Sequence, residues 1–86
     1  MVYRIVFTTH ARKTIEKLPK EVKNRIENAL ARIRVRPFDF VERMISYSFY
    51  KLRVGQYRVI LDIDNNELII LVVEAGNRKN IYKRFK

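Results

Sequence analysis

The fold is decided by the stretch FYKLRVGQYRVILDI, residues 49–63, which is typical of two β-strands joined at residues 54–56. Successive side chains of a strand point to opposite faces, so the residues sort into two sets. In the first strand the two sets are Leu52 and Val54 on one face, and Lys51 and Arg53 on the other. In the second strand one face carries Tyr57, Val59, Leu61 and Ile63, and the other face carries Arg58, Ile60 and Asp62. The pattern predicts two antiparallel strands that fix the cations Lys51, Arg53 and Arg58 near one edge of the sheet.

A third strand follows this hairpin. Residues 64–66 (DNN) are rich in the Asx side chains that favour turns. The run ELIILVVEA, Glu67–Ala75, is apolar and rich in β-branched residues, which suits a central strand covered on both faces. Three antiparallel strands are therefore expected to form a meander, and the rest of the chain to cover one face of it.

The N-terminal part predicts a strand and two helices. Val2–Phe7 is a first strand, and Thr8 and Thr9 can cap the helix that follows. Helix one is expected from about His10 to Leu18 and ends at Pro19, with apolar residues at helical spacing: Ala11, Ile15 and Leu18. Helix two is expected from about Lys20 to Val35 and is stopped by Pro37, and its inward stripe is Val22, Ile26, Ala29, Leu30 and Ile33.

Two segments give weaker patterns. Phe38–Tyr47 is an irregular connector, and no structure is assigned to it. Gly76 is expected to break the last strand, after which residues 77–86 carry five cations and no acid. Ile81 and Phe85, four residues apart in this tail, suit a short helix docked on the sheet.

The element order is β-α-α-β-β-β, which predicts an α+β fold with a helical hairpin packed on an antiparallel sheet, in one domain spanning residues 1–86. The first strand is expected at an edge or beside the last strand, and the pattern leaves both arrangements open.

Composition limits the functions to be considered. Nineteen Lys and Arg against nine Asp and Glu give a net charge of +10, which favours a polyanionic partner: nucleic acid first, then an acidic membrane surface or protein. The absence of cysteine excludes disulfides and thiolate metal sites. No apolar run reaches the roughly 18 residues of a membrane span, and no signal peptide is evident, so a soluble, cytoplasmic protein is expected.

The residues able to carry chemistry are few. His10 is the only histidine, so zinc ligation is not expected, and a solvated surface position is the favoured interpretation. No carboxylate pair, glycine-rich phosphate loop or nucleophile elbow is present. What remains is a set of cations and one tyrosine: Lys51, Arg53, Arg58, Arg78 and Tyr82. The alternative is that each cation is merely a solvated outer-face residue.

Three motifs in order resemble the RelE family of toxins, in the RelE/ParE superfamily of type II toxin–antitoxin systems, and look closest to archaeal RelE. Residues 49–60 (FYKLRVGQYRVI) are similar to the family's Y-K-L-R-x-G-x-Y-R-V-x-Y core. Residues 76–82 (GNRKNIY) are similar to its closing G-H-R-x-x-I/V-Y, and residues 7–19 match its opening F-x-x-x-A-x-K-x-I-x-K-L-P. The resemblance covers essentially the whole chain.

The resemblance implies a ribosome-dependent mRNA endonuclease that cuts codons in the ribosomal A site and inhibits translation. It also implies a RelB-type antitoxin that wraps around the toxin in a hetero-oligomer. Arg58 matches the strand arginine near the scissile phosphate, Arg78 the arginine that stabilises the transition state, and Tyr82 the general base. Lys51 and Arg53 match basic positions around the site, and the tail cations Lys79, Lys83 and Arg84 are expected to contact substrate.

Two positions depart from the family pattern. Asn77 stands where many relatives have histidine, and Phe49 where some have lysine, which bears on rate more than on reaction class. The expected chemistry needs neither metal nor cofactor, because RNA supplies its own 2′-OH nucleophile and fixed cations can neutralise the developing charge. Those cations are also expected to lower the pKa of the Tyr82 phenol. Phe49 and Tyr57 suit stacking on bases or ordinary packing equally.

Two other functions stay open from the sequence. One is a binding module without nuclease activity, which acts by protein contact as ParE-type toxins do on gyrase, or within a DNA-binding repressor complex. The other is a structural RNA-binding domain. The combination of Arg58, Arg78 and Tyr82 favours the nuclease, because a non-catalytic protein has no need of all three.

Overall fold

The computed structural model describes residues 2–45 and 47–81, which form one five-stranded sheet with two helices on one face. The elements are β1 (Arg4–Phe7), α1 (Thr9–Glu16), α2 (Lys20–Ile33), a 3-10 turn (Pro37–Asp39), β2 (Val41–Arg43), β3 (Tyr50–Val54), β4 (Tyr57–Asp64) and β5 (Ile69–Asn77). The strand order is β1-β5-β4-β3-β2, with β1 parallel to β5 and the other neighbours antiparallel. The predicted α+β class is confirmed.

The helices begin where the sequence places their caps. The Thr8 Oγ1 accepts a hydrogen bond from the Ala11 N–H at 3.0 Å, which satisfies one of the free donors at the start of α1. Pro19 is the N-cap residue of α2. Both helices are shorter than predicted at their C-terminal ends, by about one turn or less. Their buried residues are those of the apolar stripes: Ala11, Ile15, Ile26, Leu30 and Ile33.

The main core lies between the helices and the sheet, and it uses the face that strand alternation selects. Leu52 and Val54 of β3 face Val59 and Leu61 of β4 in this cluster. Strand β5 adds Ile70, Val72 and Ala75. The two-face sorting of residues 50–63 is therefore confirmed, and the side chains on the opposite side belong to the face without helices, here called the open face.

The sheet contains one strand more than expected, because the connector predicted to be irregular forms β2. Val41 pairs with Leu52 and Arg43 with Tyr50, so β2 extends the sheet beyond β3. At the other edge β1 runs beside β5, which satisfies both arrangements left open by the sequence. Strand β5 is thus flanked by β1 and β4 and is central, as predicted.

Gly76 does not break the last strand, contrary to the prediction. Strand β5 continues to Asn77, and the Arg78 N–H still donates to the Gln56 carbonyl at 2.9 Å. The physical reason is that Gly76 pairs with Arg58 in the β4–β5 register, which carries the strand past the glycine. Ile81 packs on this part of the open face, and a Cβ built on Gly76 would lie 3.5 Å from Ile81 Cδ1, an ordinary van der Waals contact.

A β-bulge changes which face of the sheet each side chain in the second half of β5 points to. Ile60 pairs with Glu74 but Leu61 pairs with Val72, which leaves Val73 as an extra residue. After the bulge, Ala75 instead of Glu74 enters the helix-side core. The bulge therefore moves the carboxylate of Glu74 out of the apolar layer.

The open face has a small apolar cluster of its own. Its buried members are Met44, Ile60 and Ile81, and the partly buried Tyr47, Phe49 and Val73 pack against them. Ile81 is only 5% exposed, so the expected docking of this tail residue is confirmed, while Phe85 lies outside the described residues. In the part of the chain that is described, no helix has the length and apolar character to cross a membrane.

Candidate nucleic-acid interface

The turn between β3 and β4 organises the basic end of the open face. Val54 pairs with Tyr57, so Gly55 and Gln56 form a two-residue hairpin turn. Gly55 has φ +60°, whereas no positive φ is recorded for Gln56. This is the type II′ arrangement, whose first central position favours glycine because other residues are strained there.

Arg58 is the most buried of the predicted site cations, with 9% of its surface exposed. Its Nη1 donates to the Gly55 carbonyl at 3.1 Å and to the Tyr57 carbonyl at 3.0 Å. Within residues 2–45 and 47–81, its Nε and Nη2 donors make no hydrogen bond. The hairpin thus fixes the guanidinium while leaving donors for an incoming anion.

Arg53 lies directly across from Arg58 in the β3–β4 register, on the same face. Like charges in this position destabilise a strand pair. The Arg53 Nε is 3.5 Å from Glu42 Oε1, but the two side chains are 67% and 57% exposed, so this ion pair contributes little.

Arg78 is brought to the same turn from the other side. Its N–H bonds to Gln56, one residue from the carbonyls that hold Arg58, and its side chain is exposed. Lys79 follows in a turn in which its own N–H donates to Asn77 Oδ1 at 2.9 Å, and Lys79 is exposed too.

Lys51 completes the group, farther from the turn. It pairs with Ile60 on β4 and lies on the open face two residues before Arg53, half-buried. The structure therefore gathers five of the eight predicted residues around this end of the sheet: Lys51, Arg53, Arg58, Arg78 and Lys79. Three others fall outside the described residues, and their roles stay predictions: Tyr82, Lys83 and Arg84.

His10 is exposed, as predicted for a surface residue, but it also has a partner that was not predicted. Its Nε2 lies 2.8 Å from Glu74 Oε2, and the two side chains are 44% and 9% exposed. The other oxygen of Glu74 accepts from the Ala75 N–H at 3.1 Å. The signal that sequence reasoning missed was the glutamate itself, because an acid within an apolar strand needs a partner when it is buried.

This pair borders a cavity of about 270 Å³ near the end of β5, lined also by Thr14, Gly76 and Ile81. It lies at the edge of β5 that β1 leaves uncovered, since β1 ends opposite Val72. In the described part of the chain, no group of three or more His, Cys, Asp or Glu residues is placed to hold a metal ion.

Comparison with known families gives one match over nearly the whole chain. A family model described as the ParE toxin of the type II toxin–antitoxin system, parDE, matches residues 5–82. Among curated proteins, the chain is similar to Toxin RelG from Mycobacterium tuberculosis, with 28% identity over 88 residues, covering 98% of this chain and 100% of the relative.

Solved structures agree on the fold. A toxin–antitoxin complex, RelBE2 from Mycobacterium tuberculosis, contains a chain with a TM-score of 0.80 and 25% identity, which covers 91% of this chain and 100% of that one. An archaeal RelE–RelB complex from Pyrococcus horikoshii OT3 gives a TM-score of 0.78 at 23% identity, over 93% of this chain and 99% of that one. The second similarity concerns the fold alone.

Proposed function

This chain belongs to the ParE toxin family of type II toxin–antitoxin systems, and from that premise we propose that it is a RelE-type, ribosome-dependent mRNA endonuclease. It cuts codons in the ribosomal A site by attack of the 2′-OH, without a metal, and so inhibits translation in the cytoplasm. Its inhibitor is a RelB-type antitoxin, with which it forms a hetero-oligomer.

The observation that carries this proposal is the way Arg58 is held. A surface arginine loses much side-chain entropy when it orders on a substrate. Arg58 is ordered beforehand by two carbonyls of its own hairpin, at 3.0 and 3.1 Å. Donors fixed before the reaction cost no reorganisation when charge develops, which is what stabilises a transition state.

The arrangement fits the needs of RNA cleavage. As the 2′-oxygen bonds to phosphorus, negative charge accumulates on the phosphoryl oxygens, and Arg58 with Arg78 can neutralise it. Arginine can bind two phosphate oxygens at once, which lysine does not. The 5′-oxygen leaves as its bond to phosphorus breaks and takes up a proton, which the family resemblance assigns to the Arg78 guanidinium. The proton of the 2′-OH goes to Tyr82, whose role rests on the family resemblance.

The positive charge supports a ribosomal setting. A net charge of +10 suits a partner whose surface is largely phosphate. Arg53, Arg78 and Lys79 are exposed and lie at one end of the open face, where they can meet a phosphate backbone.

The antitoxin is proposed to act partly through charge and partly by displacing the tail. Ile81 occupies a position on the open face against Gly76 and Ile60, and it is the kind of apolar anchor that a partner helix can replace. Hydrogen exchange of residues 77–81 with and without antitoxin measures this. Faster exchange on binding is expected for displacement, and unchanged protection leaves simple occlusion of the cations.

A second candidate is a ParE-like toxin that acts by contact with a protein target and does not cut RNA. The description of the matching family favours it. The same basic face then binds an acidic protein surface, and the preorganisation of Arg58 has no catalytic consequence.

Mapping of mRNA 5′ ends during translation in vitro distinguishes the two candidates. The nuclease is expected to produce cuts inside A-site codons only when ribosomes are present. The Arg78→Ala variant serves as the matched sample, and its cuts are expected to fade at the same positions. If wild-type protein produces no cuts on stalled ribosomes, the nuclease is excluded and the protein-contact function replaces it.

A further inference from the structure

A groove on the outer flank of α2 gathers cations that the proposed catalytic chemistry does not use. It is a cavity of about 370 Å³ between α2 and the end of β3. Its polar lining residues are Arg25, Asn28, Arg32 and Arg53, and among the described residues no acid lines it. The three α2 residues are spaced i, i+3 and i+7, so they form one stripe beside the apolar one.

The arginines that α2 contributes to this groove are exposed and are not neutralised by an acid of the described part of the chain. Among the residues that the structure describes, Arg25 and Arg32 form no ion pair and no hydrogen bond. They share the cavity with a third cation, Arg53, whose only recorded ion pair is the exposed contact to Glu42. A cleft lined by charges of one sign concentrates the field and attracts the opposite charge.

The groove is joined to the open face by the β3–β4 turn. On one side of the turn, Arg58 Nη1 bonds to the Gly55 carbonyl. On the other side, Arg25 Nη1 would lie 3.3 Å from a Cβ built on Gly55. Arg53 lines the groove and also pairs with Arg58. One continuous polyanion can therefore pass from the open face around the turn to α2.

We propose that Arg25, Asn28 and Arg32 form a second phosphate-binding site, which takes the backbone of an RNA outside the reacting nucleotides. Arg25 and Arg32 are two helical turns apart, about 10.5 Å along the axis, so they contact separate phosphates more readily than one. Their guanidinium forks match phosphate oxygens, and the Asn28 amide adds a neutral donor. The choice of RNA as the polyanion rests on the proposed function.

The test measures binding of a hairpin made entirely of 2′-O-methyl RNA, which lacks the free 2′-OH and so cannot be cut by that route. The variant is Arg25→Gln/Arg32→Gln, and the control is Lys13→Gln/Lys17→Gln on exposed positions at the end of α1. Each double variant removes two positive charges. Glutamine has a helix propensity close to that of Lys and Arg, so the helices should keep their stability. The affinity of each full-length protein is followed from about 50 to about 200 mM salt.

Each phosphate contact contributes about 0.7 to 0.9 to the log–log salt slope. Loss of two contacts is expected to lower the slope by about 1.4 to 1.8. Between about 50 and about 200 mM salt, the affinity of the variant should then fall by a factor about 7 to 12 times smaller than the factor for the wild type. The control is expected to keep the wild-type slope. Equal losses in both variants would mean that only net charge matters, and would overturn the site. So would displacement of the RNA by low millimolar inorganic phosphate, which indicates a single-anion site.

The result of this binding test can be distinguished from the result of the cleavage test of the proposed nuclease. Because the probe cannot be cut, a selective slope change with no cleavage of translated mRNA supports the groove and refutes the proposed reaction. If the groove variant weakens antitoxin binding while leaving RNA binding unchanged, the groove is a protein contact and this inference fails.

Discussion

Arg53 and Arg58 are direct cross-strand partners, and the pair places two like charges side by side at the basic end of the open face. Sheets normally avoid this arrangement, because like charges directly opposite each other destabilise the pairing. The hairpin tolerates it by tying Arg58 to its own backbone, while Arg53 extends into solvent and towards Glu42. Under the proposed function, the phosphate of a bound RNA would offset this repulsion.

Arg53→Thr is therefore expected to separate stability from binding. Removing the repulsion offsets the loss of the exposed Glu42 contact, so the free energy of unfolding should change by less than about 0.5 kcal/mol. Affinity for ribosomes should fall because a phosphate contact is lost. Denaturant titration beside ribosome co-sedimentation measures both. A variant that unfolds more easily but binds normally would show that Arg53 serves the fold.

Arg78→Ala is expected to reduce single-turnover cleavage of A-site mRNA by ~100- to 1,000-fold, since loss of one donor to the charge of the transition state typically has that effect. Arg4→Ala is the control, because Arg4 is an exposed cation on β1 at the far side of the sheet. It should cleave like wild type. Equal rates for both variants and the wild type would remove Arg78 from the site.

Tyr82→Phe removes only the ionisable oxygen, so ribosome affinity should stay nearly intact while the cleavage rate falls. Combined with Arg78→Ala, the loss should be less than the product of the single losses, because groups that act on one transition state are not additive. Rates and affinities of the two single variants and the double variant give the comparison. Wild-type cleavage by Tyr82→Phe would exclude the phenol as base.

His10→Ala is expected to destabilise the fold by about 1 kcal/mol, because it removes one of the hydrogen-bond partners of a carboxylate that is 9% exposed. The neighbouring Thr9→Ala, at an exposed helix position, should have a smaller effect. Thermal unfolding of both variants measures the difference. If His10→Ala unfolds at the wild-type temperature, the Glu74 contact has no net value for stability.

Free protein is expected to cut naked RNA poorly, and the slow cutting that remains should not respond to EDTA. The reason is that the proposed chemistry uses cations and a tyrosine, and the ribosome presents the codon. Gel electrophoresis of naked RNA and of ribosome-bound mRNA after incubation with the protein measures the cleavage of each. Rapid, EDTA-sensitive cutting of naked RNA would contradict both parts of the proposal.

Much of the fold could be predicted because neighbouring residues carry the signal. Alternation in residues 50–63 assigns Leu52 and Leu61 to the core and Arg53 and Arg58 to the other face, and the structure agrees. The stripe Ile26, Leu30 and Ile33 likewise follows from the helical period. These patterns are local, and burial of one face enforces them.

Features that depend on distant partners were not predicted. Strand β2 has three residues and exists because β3 offers it an edge, so composition alone did not distinguish it from a loop. The bulge at Val73 shifts the alternation of β5, which a strict period of two does not anticipate. The continuation of β5 through Gly76 depends on pairing with Arg58, which outweighs the tendency of glycine to end a strand.

The sequence by itself determined the α+β class, the two faces of the hairpin and the identity of its cations. These follow from the spacing of apolar residues and from the charges of single residues, which can be read without knowing the fold. Only the tertiary structure decided how those cations are used. It holds Arg58 by the carbonyls of Gly55 and Tyr57, joins His10 to Glu74 across 64 positions of sequence, and lines one groove with Arg25, Arg32 and Arg53. These contacts come from the docking of α1 and α2 on the sheet and from the turn geometry, which fix distances that no local pattern encodes.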